Sequence, residues 1–180
     1  MSRLDLAVSL AVIVVLVAWY LSYSAARLDR LHTRVEGALA ALDAQLVRRA
    51  EVTLELAGAG ILDPASSLLL ADAAAEALEA ADEPHAARER VESDLTQALE
   101  LALSPEAMAG LGPPGREALE RVAAANQRVQ LARRFHNDAV TDVRRVRRKR
   151  TVRMFRLAGH ADLPSTFEID DELPGLERAA

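Results

Sequence analysis

Apolar side chains occupy every position from Leu6 to Tyr23 except Ser9 and Ser22, and no charge interrupts them. As a helix these eighteen residues would cover about 27 Å, close to a bilayer hydrocarbon core of roughly 30 Å. Trp19, Tyr20 and Tyr23 close the run with amphipathic rings suited to the headgroup level. The pattern predicts an N-terminal transmembrane anchor over residues 1–26, with Leu6, Val12, Val15, Trp19 and Tyr23 among its spanning residues. A cleaved secretory signal is the competing reading, but its apolar region is usually about 7–15 residues long. A buried core helix is the third, and an all-round apolar stretch of this length needs a larger protein around it.

Past the anchor the period changes. Leu28, Leu31, Val35, Leu39, Leu42 and Leu46 recur at spacings of three and four, with Arg, Glu and Asp between them. That spacing puts one apolar stripe on a helix. Nothing before Gly58-Ala59-Gly60 stops it, so the expectation is one helix continuous with the anchor. Asp63-Pro64 reads as an N-cap and first helical position of a second helix, running to about Ala81 through Leu68, Leu69, Leu70, Ala74 and Leu78. A third opens after Pro84 and carries Ala87, Val91, Leu95, Leu99 and Leu103. Ser104–Gly115 is rich in proline and glycine and reads as a loop. The fourth helix is expected from about Arg116 to Leu157, with Leu119, Val122, Val129, Ala132, Phe135 or His136, Val140 and Val143 on its stripe. Isolated helices are marginal in water, so the four stripes must cover one another. The expected fold is all-α: a membrane anchor, an antiparallel four-helix bundle over residues 27–160, and an acidic, largely disordered tail over 161–180.

Composition sharpens this picture. Hydrophobic residues make up 51% of the chain but aromatics only 3%, and much of the apolar content is alanine. Alanine favours helices and close approach over a thick sandwich core. No cysteine is present, which removes disulfides, thiolate metal sites and a thiol nucleophile. The net charge of -5 is mild, but its distribution is uneven. Arg144, Arg145, Arg147, Arg148, Lys149, Arg150, Arg153 and Arg156 cluster without an acid among them, and an acidic segment follows. Arg27, Arg30 and Arg34 after the anchor, against Arg3 before it, favour a cell-membrane protein with the body in the cytoplasm and the N-terminus outside.

Several segments resemble the LemA family. The run Ala132-Arg133-Arg134-Phe135-His136-Asn137-Asp138-Ala139-Val140 is similar to that family's Ala-Arg-x-x-Tyr-Asn-x-x-Val element. Asp43-Ala44-Gln45-Leu46-Val47-Arg48-Arg49 resembles its Asp-x-Gln-Leu-x-Arg-Arg element, and Leu95–Leu103 its third helix. Met154–Leu157 and Phe167-Glu168 stand where the family has Leu-Phe-Gly-Phe and Pro-x-Phe-Phe-Glu stretches. His136 replaces the Tyr, the Leu-x-Pro-x-Leu after Arg49 is missing, and Arg147–Arg150 replaces a Phe-Pro-x-Asn element. The resemblance implies a divergent member: a four-helix bundle on one membrane helix, with no assigned catalytic residue.

Candidate chemistry is sparse. The basic run beneath a thin apolar stripe suits anionic headgroups if the fourth helix returns to the bilayer; the alternative is a solvated helix end whose cations suit the C-terminal dipole. Nucleic-acid binding is disfavoured because stacking aromatics are missing. The polar strip containing Gln130, Arg133, Arg134 and Asn137 could face a partner, or simply water. The four histidines are scattered, and no Glu-x-x-His element occurs for a di-iron bundle. There is no phosphate loop, nucleophile elbow or His-Glu-x-x-His motif, and the acids are expected on helix surfaces. The expectation is a non-enzymatic scaffold or adaptor that takes no cofactor, metal or small-molecule substrate. Its partners would be the bilayer and an unidentified protein, with anionic-lipid binding as the alternative role.

Overall fold

The computed structural model describes residues 3–149, 152, 154 and 162–173. All regular structure among them is helical: α1 (Arg3–Gly58), α2 (Pro64–Glu79), a 3₁₀ turn (Ala80–Asp82), α3 (His85–Ala102), α4 (Pro105–Ala109) and α5 (Pro113–Arg147). The anchor and first body helix form one continuous 56-residue helix. Gly60, with φ 66°, takes the left-handed conformation that turns the chain out of it. Asp63 caps α2, its carboxylate accepting from the amides of Ala65 (3.0 Å) and Ser66 (3.1 Å).

The loop before α5 is more ordered than its composition implies. Ser104 caps the short α4 through the Ala107 amide, and α5 begins at Pro113, not Arg116. Two prolines fit a first helical turn because its N–H groups have no intrahelical acceptor. Leu157, the expected end of this helix, lies outside the described residues.

The chain divides into two compact units. The first comprises Met1–Gly37 and Asp138–Ser165. Its α1 segment contains the one helix among the described residues long and apolar enough to cross a membrane, and none of its most apolar window is buried. Farther along, Leu28 and Leu31 pack with Val146 and Val152, and Arg34 pairs with Asp142 at 3.5 Å.

The second unit comprises Ala38–Asn137 and Thr166–Ala180. Its main core draws Leu56 from α1, Leu70 from α2, Leu95 and Leu99 from α3, and Val122 from α5, with alanines such as Ala50, Ala74 and Ala98 filling the close approaches. Register along the helices decides which leucines enter: Leu70 is fully buried, whereas neighbouring Leu68 and Leu69 face outward. On α5 His136 is buried and Phe135 exposed.

Residues 162–173, expected within a disordered tail, are extended and tied down. Phe167 packs with Leu42, Leu46 and Val129, and Leu173 joins the main core. Burial alternates along the segment: Phe167, Asp171 and Leu173 face inward, while Glu168, Asp170 and Glu172 face water. Apolar anchors at alternate positions therefore order this part of the tail despite its acidity; residues 161 and 174–180 lie outside the described residues.

Candidate functional site

The centre of the second unit holds a buried charge pair. Arg49 of α1 is 0% exposed and Glu92 of α3 is 1% exposed. One guanidinium nitrogen of Arg49 donates to the Glu92 carboxylate (2.7 Å) and backbone carbonyl (2.8 Å). Another donates to Thr96 Oγ1 and Asn126 Oδ1, both at 3.1 Å. Buried charges persist only when paired and hydrogen-bonded, and α3 and α5 supply partners to two of the three guanidinium nitrogens of Arg49, its Nε making no hydrogen bond. Glu92 therefore corrects the expectation that acids lie only on helix surfaces. Beside it, Arg88 is buried and donates to Asp43 (2.8 Å) and the Ala81 carbonyl (2.9 Å).

The network continues outward into the extended segment 166–173. Thr96 donates to the Asp170 carbonyl (2.7 Å), and Ser93 accepts from the Asp170 amide (3.1 Å). Glu89 accepts from the Glu168 amide (2.8 Å). From α5, Asn126 (2.9 Å) and Gln130 (2.7 Å) donate to the Asp171 carbonyl. Asn137 clamps Phe167 at two points, accepting from its amide (2.8 Å) and donating to its carbonyl (3.1 Å). Arg133 makes a bidentate pair with the buried Asp171 carboxylate, at 2.7 and 2.9 Å. Hydrogen bonding to Asp171 holds the Arg133 guanidinium above its ordinary pKa, with Glu168 and Asp170 adding attraction and partial burial opposing it. An extended backbone without strand neighbours must find other hydrogen-bond partners, and here side chains of α3 and α5 supply them.

The expected partner strip is thus filled from within: Gln130, Arg133 and Asn137 hold this chain's own segment, and only Arg134 of the four is exposed. Of the basic run, Arg144 and Arg147 donate to the carbonyls of Pro164 (2.9 Å) and Asp162 (2.8 Å). Arg145, Arg148 and Lys149 are exposed, while Arg150, Arg153 and Arg156 lie outside the described residues. Val12, Val15, Trp19 and Tyr23 are exposed along α1, with Trp19 and Tyr23 stacked at 6.3 Å; the Leu6 side chain lies outside the described residues.

A second surface feature is an apolar groove of about 360 Å³ within the second unit, walled by Ala38, Ala41, Leu131, Ala132 and Phe135, with Gln45 and Arg128 also lining it. Leu131 and Phe135 are 52% and 57% exposed, and one turn apart on α5 they set two large apolar side chains together at the edge of this groove. Among the described residues no group of three or more acidic or histidine side chains is disposed to hold a metal ion.

Asn126 belongs to the polar strip at helical spacing on α5, but Arg49, Glu92 and Asp171 had no periodic signature, because a charge at a core position breaks an apolar stripe. The extended segment did carry one: Phe167, Ile169 and Leu173 alternate with acids, interrupted by Asp171.

No family model, curated protein or solved structure matches this chain.

Proposed function

We propose that the chain is a membrane-anchored helical scaffold of the LemA type, a divergent member acting through protein contacts in the cytoplasm. In this reading α1 beyond the anchor, α2, α3 and α5 form an antiparallel four-helix bundle, as their short connections favour. The family assignment is supported by where the resembling segments lie. Arg49, Asn137 and Phe167, one from each of three segments, are buried or bonded in the second unit. The reading has no catalytic step. The observation that carries the contact role is the groove beside Leu131 and Phe135, an apolar surface on a protein body tethered beside its neighbours.

The experiment is detergent extraction and affinity purification of the full chain beside L131E/F135E, with helicity checked for both. A stoichiometric partner retained by wild type and lost by the variant supports the reading. Identical recovery of every co-purifying protein refutes it.

A second reading is favoured by one observation in the first unit. Val146 packs on Leu28, only five residues beyond Tyr23, or about 7.5 Å along a helix. With a bilayer ending near Tyr23, exposed Arg145, Arg148 and Lys149, which flank Val146, would then be within about one Debye length of an anionic leaflet. In nanodiscs mixing neutral and anionic lipid, the wild type should retain anionic lipid on release. Changing these three residues to Gln should lower that preference by roughly a hundredfold, and no change would dismiss the lipid role.

A further inference from the structure

The contacts of residues 166–173 are those of a bound peptide. Six main-chain groups of the segment, on Phe167, Glu168, Asp170 and Asp171, are held by side chains of α3 and α5. Such contacts recognise any extended chain in the right register, because every residue offers the same amide and carbonyl. Side-chain selectivity falls at three places. Phe167 enters a pocket of Leu42, Leu46 and Val129. Asp171 meets the fork of Arg133. Leu173 reaches the main core.

We propose that the α3–α5 face is a peptide-binding groove. Its ligand is an extended acidic peptide with an aromatic residue, an aspartate four positions on and an aliphatic residue two beyond that. Residues 166–173 are its resident occupant, and a partner protein's segment of the same chemistry exchanges with them. Charge complementarity argues for an acidic ligand: Arg133 pairs with Asp171 and lies 3.9 Å from Glu168. The exchange is isologous in its bonds, since the incoming peptide remakes each contact the outgoing one gives up. What decides occupancy is then the effective concentration of the tethered segment against that of the partner. The site lies on a different face of α5 from the Leu131–Phe135 groove, so either can fail without the other.

The probe is a fluorescent peptide of residues 165–174, Ser-Thr-Phe-Glu-Ile-Asp-Asp-Glu-Leu-Pro, titrated into the full chain in detergent. Wild type should bind it poorly, because the resident segment competes. The full chain carrying F167A/D171N, whose own segment has lost two anchors, should bind at least about tenfold more tightly. Adding R133Q to that chain should remove the gain, and a peptide with Asn at position 171 should bind about tenfold more weakly to the loosened chain. No binding to a folded F167A/D171N chain overturns the proposal. So does equal binding of a scrambled peptide, or concentration-dependent self-association of the chain without peptide uptake. Should F167A/D171N fail to fold, a chain of native groove sequence with a protease site in residues 157–161 is cut after folding and given excess probe. Exchange of the probe for the released segment supports the groove, and its failure to exchange overturns it.

Discussion

Replacing Arg49 with Met tests whether the buried charge pair holds the second unit together. The substitution removes four hydrogen bonds of 2.7–3.1 Å. It strands the Glu92 carboxylate, 1% exposed, with only the Arg88 guanidinium at 4.0 Å. Removing one partner of a buried pair costs about 3–5 kcal/mol, because an uncompensated charge is left in the interior. Against a total stability of about 5–15 kcal/mol that is a large fraction. At about 4 °C per kcal/mol, the melting temperature should fall by about 12–20 °C. The assay is guanidinium unfolding of the full chain in detergent, followed by far-ultraviolet circular dichroism. The midpoint should drop with the slope unchanged. R49M/E92L should regain at least half of the loss, since it deletes both charges; recovery is incomplete because Thr96 and Asn126 each lose a donor. A loss under about 1 kcal/mol for R49M, or a double variant as unstable as the sum of the singles, would refute the account.

Gly115→Ala should destabilise the start of α5, because a Cβ there would meet Ile61 Cγ2 at 2.9 Å and Leu111 Cβ at 3.0 Å; an unchanged melt would mean those side chains yield freely. Ser66, through its hydroxyl and amide, holds the Asp63 carboxyl below its ordinary pKa of 3.8. The charged cap therefore contributes above the unfolded value and is lost as pH falls through the lower folded one. The stability gap between wild type and Asp63→Ala should be constant above about pH 5 and shrink in acid; a gap independent of pH would rule out the charge as its source. The proposed cytoplasmic orientation predicts that Ser165→Cys, in a chain with no other cysteine, resists a membrane-impermeant thiol reagent in intact cells. Equal labelling before and after lysis would reverse the topology.

How legible each element was depends on how its residues meet the core. The helices announced themselves, because Leu42, Leu46, Leu95, Leu99, Val122 and Val129 repeat at helical spacing and are buried. Asp63-Pro64 marked the α2 cap for a local reason, one carboxylate bonding two adjacent amides. The site was hidden for the opposite reason. Arg49 and Glu92 are 43 positions apart, and nothing local distinguishes them from the surface charges around them. The polar strip on α5 was visible as a pattern, but its partner was not. Phe167-Glu168 pointed to that partner only through its likeness to a family stretch, and Asp171 disguised the alternation by putting a charge where an apolar residue belongs.

That charge ties the groove to the core. Alanines make up much of the core of the second unit beside its leucines and valines, and small side chains interlock less than large ones, so a directional contact between α1 and α3 adds to what apolar packing supplies. A buried ion pair is directional and resists sliding, which is the best-attested use of such groups. By holding Thr96 and Asn126, Arg49 also sets the side chains that receive the carbonyls of Asp170 and Asp171. The core pair and the outer segment should therefore respond together even where stability is restored. In R49M/E92L the amides of Phe167, Glu168 and Asp170, each bonded to a side chain of α3 or α5, should exchange hydrogen faster than in wild type. Amides within α2, which makes no bond to the network, should exchange at their former rates relative to global unfolding. Uniform protection across both groups would separate the segment from the ion pair and leave Arg49 as a packing residue only.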